Sequence, residues 1–220
     1  MVRHLKSMGL RDAAGLAGEQ LWYTKCFFGL RAPLPPTTPK PAKISIEMRP
    51  VDARAFRGFA DELGVATGSD YAQVLLRESL CQSGLGELYV AGDPDGAPIY
   101  AQWLMRPRDR AALTLHSPGR YVELGDGDGL VEGAYTFTRF RQLGAMRDGM
   151  AKLLQIAAAE GMTAVYTYVE AHNIPSLRGC ADVGFVPDHM SESVRRVGRR
   201  TTSMRPVTEH DRSLWDEATR

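Results

Sequence analysis

Residues able to do chemistry gather between Leu130 and Phe185. Glu132 stands in LVEGAYTFT, and a carboxylate on the wall of a cleft can take a proton from a reacting group. A glycine-bearing turn follows, Arg141-Gln142-Leu143-Gly144-Ala145-Met146, directly ahead of a helical pattern. The first N–H groups of a helix have no intrahelical partner, and the helix dipole adds partial positive charge there. Gly144 lacks a Cβ, so an anion can approach those donors, and a pyrophosphate suits such a cradle. A plain tight turn is the commoner use of such a glycine. Further on, Asn173 is a natural helix N-cap, while Arg178 is either an exposed helical cation or a phosphate partner. The Cys180 thiol, with an ordinary pKa of about 8.5, is either a proton donor or a small core residue.

The elements that hold these residues follow from periodicity. Leu130 to Thr138 is rich in β-branched and aromatic residues and reads as a strand, with Glu132, Ala134 and Thr136 on one face. Met146, Met150, Leu153, Leu154 and Ala157 recur at helical spacing, so Met146 to Glu160 reads as an amphipathic helix closed by Gly161. Ala164 to Val169 reads as a second strand, and Asn173 opens a short helix that stops at Gly184-Phe185. Strand, turn, helix and strand make a βαβ unit with parallel strands.

This stretch resembles the GNAT superfamily of acyl-CoA-dependent N-acyltransferases. The turn is similar to that family's Q/R-x-x-G-x-G/A signature. NIPSLRGCADVGF, from Asn173 to Phe185, is similar to its N-x-x-(A/S)-x-x-x-Y-x-x-x-G-F run. The resemblance covers Ile44 to Pro206 and is specific from Tyr135 to Phe185. Two departures stand out: Met146 where the family prefers Gly or Ala, and Cys180 where it usually has Tyr. The resemblance implies an α/β fold whose central, mostly antiparallel sheet is flanked by helices and contains a splayed parallel strand pair. It implies acetyl-CoA as acyl donor, with Tyr135, Thr136 and Phe137 pairing backbone to the pantetheine arm. Arg141 and the amides of Gln142, Leu143, Gly144, Ala145, Met146 and Arg147 would meet the pyrophosphate. Asn173 would meet the cofactor arm, and Arg178 a nucleotide phosphate.

Amine acylation needs the neutral amine, so Glu132 is the expected general base for a primary amine, a solvent-facing strand carboxylate being the alternative. Cys180 stands in the proton-donor position, and Tyr135, Tyr166 or Tyr168 are alternative sources of a hydroxyl. The expected function is acetyl transfer to a primary amine of a small molecule in a ternary complex. A longer acyl group, or a catalytically silent acyl-CoA-binding or assembly module, is the alternative. A dinucleotide fold fits less well, because GxGxxG is missing.

A chain of 220 residues with 44% hydrophobic content can bury one sizeable core. The formal charge of +1 gives no reason to expect nucleic acid. The cysteines, Cys26, Cys81 and Cys180, lack metal-ligand spacing, so no metal and a reduced, cytoplasmic setting are expected. No stretch is long and apolar enough to span a bilayer. GDGDG, at 125–129, lacks the further ligands of a calcium loop and reads as solvated.

In chain order, residues 1–32 read as a helical N-terminal extension. Its Leu16, Leu21, Trp22, Phe27 and Phe28 dock on the main domain or on a second copy of the chain, so a homodimer is one arrangement. A surface-seeking membrane helix is the other reading, weakened by Asp12 and Glu19. Residues 33–43, PLPPTTPKPAK, read as a stiff linker, 44–206 as the acetyltransferase domain and 207–220 as a polar tail. Within the domain, ISIEMRPV, ELYVA and PIYAQWLM read as strands. Asp52 and Ser69 or Asp70 read as helix N-caps, Ala112–His116 and Tyr121–Leu124 as weaker strands, and 193–205 as a closing hairpin around Gly198.

Overall fold

A computed structural model describes residues 22–38, 41–52, 77, 80–93, 96–197 and 199–220. The helices expected after Asp52 and Asp70 lie mostly outside the described residues, although 80–83 are helical.

Eight strands form one sheet. They are β1 (Trp22–Pro33), β2 (Met48–Val51), β3 (Glu87–Gly92), β4 (Pro98–Met105), β5 (Asp128–Thr136), β6 (Ala164–Glu170), β7 (Val186–Arg196) and β8 (Arg199–Pro206). Their order across the sheet is β2-β3-β4-β5-β6-β1-β7-β8. All neighbours are antiparallel except β5 and β6. Helices α1 (Arg110–His116), α2 (Ala145–Ala159), α3 (Ile174–Asp182) and α4 (Glu209–Thr219) accompany the sheet. Apolar residues of α2, α3 and α4 pack with Phe28, Leu30, Val131 and Val165 in one core cluster. A second cluster gathers Trp103, Met105, Leu113, Leu130, Tyr135 and Phe137.

The βαβ reading matches the structure, and the hairpins β3–β4 and β7–β8 stand where turn residues place them. The helix expected in the N-terminal extension is not present over 22–32: this stretch is β1, hydrogen-bonded between β6 and β7. Phe28, Leu30 and Ala32 alternate and are fully buried, as a strand face requires. Aromatic and β-branched residues at Trp22, Tyr23, Thr24, Phe27 and Phe28 favour that state. Residues 1–21 lie outside the described set.

Ala112–His116, expected as a strand, belongs to helix α1. The Asp109 carboxylate accepts the Arg106 N–H at 2.8 Å just ahead of it, and only Leu113 is buried while Leu115 is 84% exposed. A five-residue alternation cannot distinguish that arrangement from a strand. Residues 121–124 have no regular structure. The C-terminal tail is helix α4, whose Trp215 packs edge-on against Phe28 at 5.8 Å between ring centroids. Thr208 and Asp211 form its capping box, and Asp211 also pairs with Arg205 of β8.

Two features position the central strands. Arg106, at the end of β4, donates to Glu160 at the end of α2 (2.6 Å) and to Glu87 of β3 (2.8 Å). These charge-assisted bonds hold the far end of α2 against the sheet. The second feature is a β-bulge in β5. Ala101 faces Tyr135 while Trp103 faces Glu132, so β5 spends one extra residue there. Gly133 carries it with φ +69°, where an added Cβ would lie 2.8 Å from the Trp103 ring. The extra residue reverses the alternation. Tyr135 and Phe137 join the cluster of Leu130, whereas Ala134 packs with the cluster of Ile46 and Tyr100. The expectation that Glu132, Ala134 and Thr136 share a face is thereby corrected.

Gly133→Ala is expected to lower unfolding free energy by about 1–3 kcal/mol, because a Cβ makes both the positive φ and the Trp103 contact unfavourable. Urea denaturation of the two proteins checks this.

Candidate functional site

β5 and β6 pair over only three positions, Asp128 with Ala164, Gly129 with Val165 and Leu130 with Tyr166. Beyond Leu130 the strands part, and a cavity of about 290 Å³ lies between them. The bulge explains the parting. It turns β5 out of register with a straight partner, while β5 stays paired to β4 as far as Thr136. Arg77 stabilises the bulge from the side: its guanidinium donates to the carbonyls of Gly133, at 2.8 Å, and Ala134. Burial lowers the pKa of Arg77 to about 10, so it stays protonated at neutral pH.

Parting exposes backbone groups. The Phe137 N–H donates to Ile99 of the neighbouring chain segment at 3.0 Å. By strand alternation Thr136 therefore presents its N–H and C=O towards the gap, while Tyr135 is turned to β4. The Thr136 carbonyl accepts from Arg141 Nε at 3.2 Å, leaving its N–H as the donor on this edge. The Tyr135 ring lies beneath Arg77 at 4.9 Å and edge-on to Phe137 at 5.0 Å.

One end of the cavity is formed by α2 and α3. Met146, Met150, Asn173, Ser176 and Cys180 line it. The preceding turn has two residues in the left-handed region, Gln142 at φ 63° and Gly144 at φ 84°. These two residues turn the chain sharply into α2, whose first N–H groups have no intrahelical partner. The Arg147 guanidinium lies over Gly144, with an Nη 3.3 Å from where a Cβ would stand, and also reaches Asp182 at 3.1 Å. Its Nε is buried without a hydrogen-bond partner. Residues 41–43 run along the turn: Lys43 donates to the Leu143 carbonyl at 2.9 Å, and Ala42 packs on Gly144. Met146 fits where a small residue was expected because Gly179 of α3 faces it.

Asn173 caps α3, its side chain accepting from Ser176 N–H, and lines the cavity as well. Arg178 instead donates to the Ala218 carbonyl at 2.8 Å, at the end of α4. His172 is exposed and stands 3.8 Å from Glu170. Cys180 is fully buried, its sulfur 4.0 Å from that of Met150, and burial raises its thiol to about 12.

Glu132 stands at the other end of the cavity. Burial raises its pKa above the usual 4.5, against the opposing pull of Arg120, the Gly133 N–H, Arg77 and the Tyr168 N–H. One carboxylate oxygen, Oε1, is buried without a hydrogen-bond partner. Around it are residues not singled out in the sequence: Arg77, His116, Arg120, Tyr121 and Glu170. Nothing local marks them, since four of the five come from segments far from the βαβ unit. Tyr168 is a further wall. Its hydroxyl accepts from Val122 N–H at 2.7 Å and stands 3.1 Å from Nε2 of His189, whose Nδ1 is 2.9 Å from Asp188.

The fold with a parted parallel pair, and a helix N-terminus beside the gap, is similar to that of solved GCN5-related N-acetyltransferases. The glucosamine N-acetyltransferase region of a fungal multi-domain β-N-acetylglucosaminidase is similar, with TM-score 0.53 and 16% identity over 82% of this chain and 22% of that one. A Drosophila protein gives TM-score 0.52 and 14% identity, covering 86% of this chain and 56% of that one. A GCN5-related N-acetyltransferase from Sphaerobacter thermophilus gives 0.51 and 14%, covering 89% and 58%. This chain thus spans less than two thirds of the length of each. No family model and no curated protein matches the sequence. Among the described residues, no helix is long and apolar enough to cross a membrane.

Thiol titration with an aromatic disulfide is expected to modify the exposed Cys26 in the folded protein and to leave Cys180 unmodified until denaturant is added. Rapid loss of the Cys180 thiol under native conditions, read by mass spectrometry, contradicts this placement.

Proposed function

We propose that the protein transfers an acetyl group from acetyl-CoA to a primary amine of a small molecule, by direct attack in a ternary complex. The observation that carries this reading is one continuous cavity. It leads from Met146 and Asn173, beside a helix N-terminus, through the gap between β5 and β6, to a buried carboxylate oxygen of Glu132.

The residues present fit the coenzyme. The amides from Gln142 to Arg147, with the unpaired Arg147 Nε, suit a pyrophosphate, and the exposed edge of β5 suits the amides of an extended arm. When bound, acetyl-CoA supplies a thioester, an activated acyl group with a thiolate leaving group. The chain's own residues supply positioning and proton handling. An alkyl ammonium has a pKa of about 10, so the amine must lose a proton before it can attack. Glu132 takes that proton, and its raised pKa brings it closer to that of the amine than an exposed carboxylate would be. The Thr136 N–H is a fixed donor for charge developing on the thioester oxygen. Holding the two reactants together in the gap contributes much of the rate.

A catalytically silent acyl-CoA-binding module is the second reading. It is favoured by Cys180, whose buried thiol faces Met150 in the core. Thiol release from acetyl-CoA across an amine panel separates the two readings.

Glu132→Gln is expected to lower kcat by about 10²–10⁴-fold while coenzyme A affinity, measured by calorimetry, stays unchanged. In the wild type, the acid limb of kcat/KM against pH should stand above the ordinary carboxylate range. The base works only when ionised, and burial raises the pH at which it ionises. Glu132→Gln should remove that limb. Gly144→Asp is expected to weaken coenzyme A binding at least tenfold, because it adds negative charge and a Cβ that crowds Ala42 and strains a residue at φ 84°. Unchanged affinity in that variant counts against the cradle.

A further inference from the structure

The wall around Glu132 carries a positive charge that the proposed chemistry does not use. Arg120 lines the cavity and is half-buried. Its guanidinium lies over the ring of its neighbour Tyr121, 5.0 Å from the centroid. No ion pair joins it to Glu132, to Glu123 beside it in sequence or to any other described acid. Glu170, the other carboxylate on the wall, stands 3.2 Å from Lys25. Arg120 and Glu132 attract each other across the cavity without touching. A guanidinium that makes no direct ion pair with a described acid is a ready partner for an oxyanion, which its planar fork binds through two parallel hydrogen bonds.

The segment bearing Arg120 is also held in place. Residues 121–124 lack regular structure, yet Val122 donates to the Tyr168 hydroxyl at 2.7 Å and the Tyr121 ring meets Tyr168 edge-on at 5.1 Å. The Tyr168 hydroxyl in turn lies 3.1 Å from His189, itself 2.9 Å from Asp188. These contacts anchor the loop to β6, so the guanidinium need not be ordered anew when an anion arrives.

We infer that Arg120 and Glu132 together select a zwitterionic acceptor, a free amino acid whose carboxylate docks on Arg120 while its amine faces Glu132. The cavity therefore offers the Glu132 carboxylate to an ammonium, and it offers a carboxylate the Arg120 cation, which has no direct ion pair among the described residues. An uncharged amino sugar or a polyamine would leave Arg120 unpaired, and a polyamine would bring further positive charge beside it. This inference rests on the transferase reading for the direction of the amine, but the anion site can be tested without turnover.

The test uses the full chain saturated with coenzyme A. Binding of L-alanine, L-phenylalanine, L-lysine and L-aspartate is measured by calorimetry and compared with binding of the corresponding α-amides. At least one acid is expected to bind tenfold or more tightly than its amide. Arg120→Gln should abolish that preference and leave coenzyme A affinity unchanged, and Arg120→Lys should keep part of it. Equal binding of acids and amides by the wild type overturns the inference, a comparison that needs no variant to fold. Failure of all four acids to bind, or a preference that survives Arg120→Gln, overturns it as well. Thiol release on the same pairs separates the two levels of the argument. Acids that bind through Arg120 without releasing thiol leave the anion site standing and remove the transferase. Amides acetylated as fast as acids leave the transferase standing and remove the anion site.

Discussion

The structure depends on the early parting of β5 and β6. Two parallel strands in the middle of a sheet ordinarily pair along their length, since unpaired buried amides are costly. Here pairing stops after Leu130 and Tyr166. Gly133 permits the bulge, and Arg77 satisfies the carbonyls that the bulge turns away from the ladder. The Tyr168 N–H of β6, which has no strand partner on β5, points at the Glu132 carboxylate. A gap that would otherwise collapse is thus lined with groups that have been given other partners.

β6 can leave β5 because its other edge is fully occupied. β1 pairs with it from Phe27 opposite Glu170 to Pro33 opposite Ala164, and then with β7 on the far side. β1 therefore supports the β6 side of the gap, and the hairpin β7–β8 and helix α4 extend that support outward. On the near side, β4 holds β5 and Arg106 ties β4 to the end of α2. The cavity is a seam between two well-supported halves of one sheet.

The same geometry relates the proposed cofactor cradle and the proposed base. α2 follows β5, so the turn before it stands at one mouth of the seam. Glu132, just before the bulge, falls on the opposite face of the sheet from α2. A thioester arm held at the first and an amine held at the second would meet in the gap. Arg120 reaches this face from the irregular segment after α1, brought there by the hydroxyl of Tyr168.

Much of this was legible in the residues themselves. Period-two and period-3.6 patterns, Gly144 ahead of a helix, Asn173 as N-cap and the turn between β3 and β4 are local signals, because each depends on neighbours a few positions away. The carboxylate of Glu132 could be singled out by type, whereas the bulge at Gly133 went unread and overturned the expected regular alternation. Three things needed the tertiary structure. The run from Trp22 to Pro33 is short and apolar enough to suit helix or strand, and its fate was decided by the open edges of β6 and β7, more than a hundred residues away. The burial of Cys180 against Met150 depends on how α3 settles on α2. The meeting of Arg77, Arg120 and Tyr168 around Glu132 has no sequence pattern, because contacts between distant segments are set by packing and not by spacing along the chain.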